Sequence, residues 1–149
     1  MLLAFAHSEP TIAAWYLAAP PPAAYGYGKT TSIATVPTVG WTGTPSFASN
    51  DFAFTYTNAV PMKFGLAFHG GGPAFAPYLA GTAKRWVANP LTRLPIHQLD
   101  GAGGWSWPIP ITAPMVGTTR CYQGLARDPQ HPDGTGLVAT NGLRVVFSN

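Results

Sequence analysis

Seventeen glycines and sixteen prolines are spread so evenly through this chain that, after Ala24, no stretch of eleven or more residues holds a 3.6-residue apolar period free of them. A helix needs such a run, because its first turn fixes several residues for one hydrogen bond. Proline also removes a donor and clashes with the preceding turn. Very little helix is therefore expected. The segments between the breakers are nonetheless 46% hydrophobic and 13% aromatic over the whole chain, enough apolar surface to offset the entropy of ordering. Short strands joined by turns are the solution that satisfies both facts.

The last third shows the pattern most fully. Two apolar runs between Met115 and Phe147 flank one polar turn, Asp128 to Gly136, and predict a long hairpin that closes the domain. Upstream, Phe52, Phe54 and Tyr56 alternate with smaller residues, as do Phe64, Leu66 and Phe68. Those two segments predict a hairpin across Asn58–Pro61, and Gly65 is a seat for a neighbouring aromatic. Ile33 to Trp41 carries Pro37, and Trp105 to Ile111 carries Pro108 and Pro110. Both read as edge or interrupted strands, since proline cannot complete a ladder. Between Ala74 and Pro95 only short strands or loop are expected. In all, about seven or eight strands predict an antiparallel β-sandwich of immunoglobulin-like or jelly-roll-like type.

Charge is scarce. Asp, Glu, Lys and Arg make up 9% of residues, against a usual level of roughly 25%. The eight basic residues run from Lys29 to Arg144 with only Lys84 and Arg85 adjacent, so the net charge of +3 forms no stripe. Nucleic acid is not an expected partner, because its recognition needs clustered basic groups.

Catalytic chemistry finds little support. Glu9 is the one glutamate, and Asp51, Asp100, Asp128 and Asp133 each sit at or beside a turn, where aspartate bonds backbone amides. His7, His69, His97 and His131 fall at no zinc-ligand spacing, and Cys121 is a single cysteine. Cys121 reads as a small buried side chain. No cofactor or metal is implied. Asp128 and Asp133 in the polar turn are weak calcium candidates, set against a turn merely stiffened by Pro129 and Pro132. Trp86, Trp105 and Trp107, with Trp41, fill a core or, where exposed, offer a stacking platform for sugars.

Residues 1–24 differ from the rest. The segment is apolar and rich in alanine, Glu9-Pro10 interrupts it, and Pro20-Pro21-Pro22 ends it. It makes a poor signal peptide, lacking a basic start, and is too short and broken to span a membrane as a helix. It is expected to be a tail or linker, with the domain covering residues 25–149.

From Tyr25 onward the chain resembles a domain recurrent in exported proteins of planctomycetes and some related marine bacteria. The order of short motifs carries the likeness: Tyr25-Gly26-x-Gly28, Gly43-x-Pro45-Ser46 and Thr57-Asn58-Ala59-x-Pro61. Pro108-Ile109-Pro110, Tyr122-Gln123, Arg127-Asp128-Pro129 and Thr140-Asn141-Gly142-Leu143 follow. The resemblance implies an extracellular or surface-attached β-sandwich and brings no catalytic residues. Many such domains carry a cysteine pair in the middle region, which Cys121 alone cannot form. The expected function is a non-enzymatic structural or adhesion module. It would assemble through its N-terminal tail into an oligomer or filament, or bind other surface proteins or polysaccharides. The alternative is a carbohydrate-binding module using exposed tryptophans.

Overall fold

The computed structural model describes residues 19–77 and 81–149; the expectations for the tail before residue 19 lie outside them. In chain order the strands are β1 (Ala23–Tyr25), β2 (Thr38–Thr42), β3 (Ala53–Thr57), β4 (Phe64–Gly70), β5 (Pro73–Pro77) and β6 (Lys84–Val87). β7 (Thr92–Arg93), β8 (His97–Gln98), β9 (Trp105–Pro108), β10 (Thr119–Arg127) and β11 (Leu137–Val146) follow. The helical content of the described residues is one 3-10 turn, Ala113–Met115. The eleven strands exceed the seven or eight expected, because β1, β7 and β8 are pairings of two or three residues with no alternation of their own to read. Among the described residues no helix is long and apolar enough to cross a membrane.

The fold is an all-β, antiparallel sandwich. A six-stranded sheet runs β1-β11-β10-β4-β7, with β8 also paired to β4. A three-stranded sheet, β2-β3-β9, covers one of its faces, and the β5–β6 hairpin packs on the other. The β10–β11 hairpin forms as the sequence predicts. The β3–β4 hairpin does not: β3 pairs with β2 and β9, while β4 pairs with β10. Residues 58–63 instead carry the chain from one sheet to the other. Alternation dictates which side of a strand is buried, and it leaves the choice of neighbour to tertiary packing. β1 shows that the ordered sheet already includes Ala23 and Ala24, paired with Arg144 and Leu143.

Two cores result. Between the sheets lie Phe52, Phe54, Tyr56, Trp107, Tyr122 and Leu143. Each such side chain taken out of water stabilises the fold by about 1.5–3 kcal/mol. Beneath the hairpin, Phe68, Val87 and Cys121 pack with Tyr25, Leu66, Leu91 and Leu125. Because both faces of the large sheet are covered, Cys121–Gly124 and Val138–Leu143 are buried without interruption.

A β-bulge joins these layers. Gln123 lies opposite Gly142 and Leu125 opposite Ala139, so Thr140 and Asn141 together face Gly124. The extra residue inverts the facing of β11: Leu143 and Val145 on one side of the bulge, and Val138 on the other, all reach the core between the sheets. A Cβ on Gly124 would fall inside the Tyr56 ring, which explains glycine there. The polar side chains of the bulge are hydrogen-bonded. Gln123 is fully buried; its Oε1 accepts from Trp86 N at 2.9 Å, and its Nε2 donates to Lys84 O and Thr140 O at 2.8 Å each. Gly124 N donates to Thr140 Oγ1 at 2.9 Å, and Val39 N to Asn141 Oδ1 at 2.9 Å. Gln123→Leu keeps the volume but strands three buried backbone groups. In urea denaturation it is expected to lose about 3 kcal/mol of stability, at roughly 1 kcal/mol or more per orphaned group.

Candidate functional site

The structure separates the three candidate tryptophans. Trp86, on β6, is 8% exposed. Its ring rests on Gly26, whose φ of +70° and missing Cβ allow the approach. Tyr27 and Phe75 flank it at 5.0 and 5.2 Å between ring centroids, and its Nε1 donates to Tyr27 O at 2.8 Å. Trp107, on β9, is 3% exposed, lies against Phe54 and Tyr56, and donates from Nε1 to Pro95 O at 3.0 Å. Both rings are buried, the core reading of the two that the sequence left open. Alternation turns Trp107 inward, and Trp86 packs over Gly26 among Tyr25, Tyr27 and Phe75. Trp105 alone of the three is open, at 39%. His97 stacks on it at 4.9 Å and 19°.

Trp105 stands beside a groove on the outer face of the small sheet. Phe54, Tyr56 and Trp107 point inward, so Thr55, Thr57 and Ser106 point outward, with Thr55 and Ser106 in register. These three hydroxyl residues, with Asn58, Asp100 and Trp105, line a space of about 530 Å³. Its walls are fixed by backbone bonds between two turns: Ala59 N to Gly103 O at 3.0 Å and Met62 N to Asp100 O at 3.1 Å. Asp100 Oδ1 accepts from Gly104 N at 2.8 Å and Ala102 N at 2.9 Å. Those amides, Gly104 first, hold its carboxyl below the ordinary value, so the groove carries one negative charge at neutral pH. The lining therefore offers hydroxyls, an amide and a carboxylate, with Trp105 at its edge and no basic side chain.

The alternation sets Thr55 on the face opposite Phe54 and Tyr56, but does not bring it beside Ser106. Only the β3–β9 pairing does that. His97 behind Trp105 had no local signal, since β8 is two residues long.

The calcium candidates are otherwise engaged. Asp128 is buried; its Oδ1 accepts from Ser32 Oγ at 2.6 Å and its Oδ2 from Ser32 N at 2.7 Å. Asp133 pairs with Lys29 through Oδ2, and its Oδ1 meets Thr135 Oγ1 and His131 Nδ1, both at 2.7 Å. No group of three metal-ligating side chains occurs among the described residues. The two aspartates instead fasten the β10–β11 loop to residues 29–32.

Lys29 above all holds the Asp133 carboxyl well below its ordinary value of 3.8. A depressed folded value makes this contribution complete above the unfolded value and lost as pH falls below it. Acid titration of stability is therefore expected to show a loss beginning near pH 4. Lys29→Met should remove that part of the acid dependence, while an unchanged acid profile would show that the pair contributes nothing.

No protein-family profile matches the chain, and neither does any curated protein or solved structure.

Proposed function

We propose that this protein is a non-catalytic binding module that holds a polyhydroxylated ligand, a glycan of a surface polymer, in the groove beside Trp105. Its role is adhesive and extracellular. One observation carries this reading: Thr55, Thr57, Ser106, Asn58 and Asp100 line one open groove together with Trp105, whose ring is stacked on His97 and partly exposed. Sugars present hydroxyls that both donate and accept, and an apolar ring face that packs on an aromatic side chain. The lining answers both. Its shape is open, as suits a polymer that passes across a sheet, and its walls are preorganised by the bonds between the two turns. The extracellular setting follows the resemblance to exported domains.

Trp41 is as exposed as Trp105, at 39% each, and does not line the groove. It serves as the internal control. Titration with a panel of neutral, acidic and amino polysaccharides is expected to quench the fluorescence of the wild-type chain and of Trp41→Ala. Trp105→Ala should weaken binding about tenfold or more, the loss of roughly 1.4 kcal/mol of stacking. Absence of any binding across the panel, or equal binding by Trp105→Ala, would overturn the proposal.

A further inference from the structure

Asp100 is the one charged side chain on the lining of the groove beside Trp105. Thr55, Thr57 and Ser106 donate and accept alike, and the Asn58 amide is neutral, so none of them sorts glycans by charge. Asp100 does. None of the eight basic residues lines the groove, although the chain carries a net charge of +3. Among the described residues, no ion pair includes Asp100 and no side chain donates to its carboxylate.

The carboxylate is held in place before any ligand arrives. Its Oδ1 accepts from Gly104 N and Ala102 N, which fixes the group within its turn. An ionised carboxylate has roughly four acceptor sites, so two amide bonds leave capacity for a ligand donor. The residue is exposed, and no cation has to be displaced to reach it. Trp105 shares the lining, and tryptophan attracts cations more strongly than any other aromatic side chain. Two independent features of the groove thus favour a positively charged ligand group, and no feature of it favours a negative one.

We infer, resting on the glycan-binding reading of this groove, that Asp100 sets its specificity: the glycan it takes carries free, protonated amines, and acidic glycans are turned away. An ammonium on Asp100 makes a charge-assisted hydrogen bond, roughly twice as strong as one between neutral groups. N-acetylation of the sugar removes that charge and leaves a neutral amide with one donor. A uronate or sulfate brings a second negative charge to a groove with no base to pair it. Because Asp100 is exposed, water and salt screen the attraction, and the preference is several-fold rather than absolute.

Calorimetric titration of the full chain tests this with three ligands: glucosamine hexamers with free amines, the same hexamers N-acetylated, and galacturonate hexamers. The pH is mildly acidic, where the amines are protonated and Asp100 stays ionised. The free-amine hexamer is expected to bind about five- to tenfold tighter than its acetylated form, with the galacturonate weakest, and added salt should narrow the gap. Asp100→Asn keeps an Oδ1 acceptor for the Ala102 and Gly104 amides and removes the charge. In that variant the preference should shrink to about twofold or less. Asp51→Asn removes a turn carboxylate outside the groove and should retain the full preference. Equal or weaker binding of the free-amine hexamer, or a preference that survives Asp100→Asn, overturns the inference and leaves the glycan reading standing as long as another glycan binds. Absence of binding by every glycan overturns both.

Discussion

Gln123 is the side chain on which the layered structure depends. It is buried in the middle of the large sheet and binds three backbone groups, two on β6 and one on β11. Thr140 and Asn141, the bulged pair opposite Gly124, continue the network to β10 and to β2 of the small sheet. A sheet covered on both faces must satisfy every polar group it buries, since an unpaired one costs about 1–3 kcal/mol. Here one amide, one hydroxyl and one further amide satisfy backbone groups around the bulge and join three layers at a single point. The same bulge reverses the facing of β11, letting Val138 and Leu143 enter one core from either side of it.

The Trp105 groove inherits its position from this frame. β3 and β9 lie side by side in the small sheet, which the Val39–Asn141 bond fastens to the large one. That pairing sets Thr55 beside Ser106 and places both next to Trp105. On the far side, the hairpin that Gln123 anchors covers Phe68 and Cys121 but stops short of Phe64 and Ile96. With so few charges, the surface is differentiated by shape and hydroxyl placement rather than by a strong field.

How much could be read beforehand varies with what each residue's local pattern encodes. The Gly and Pro spacing excluded helices, and the alternation at Phe52, Phe54 and Tyr56 named a buried face correctly. The Asp128–Gly136 turn was plain in its residue types. Partner choice was not legible: Asp51–Thr57 and Lys63–His69 look like the two arms of a hairpin, yet they lie in different sheets. The glycine seats for aromatic rings are Gly26 under Trp86 and Gly124 under Tyr56, whereas Gly65 meets Leu99. Such contacts join residues up to 68 apart in sequence, and nothing near either partner announces them. For the same reason Trp86 and Trp107 could not be told from Trp105, although all three are tryptophans in short strands. Asp128 and Asp133 looked like cation ligands because their true partners, Ser32 and Lys29, are a hundred residues away.

The central claim is that the Gln123–Thr140–Asn141 network makes the three layers one cooperative unit. Native-state hydrogen exchange of the Trp86, Gly124 and Val39 amides tests it most directly, since each donates to one member of the network. All three are predicted to exchange only through global unfolding, with one shared opening free energy equal to that from denaturant. If the Trp86 amide exchanges at a distinctly lower free energy while Gly124 stays protected, the β5–β6 hairpin opens by itself and the claim fails.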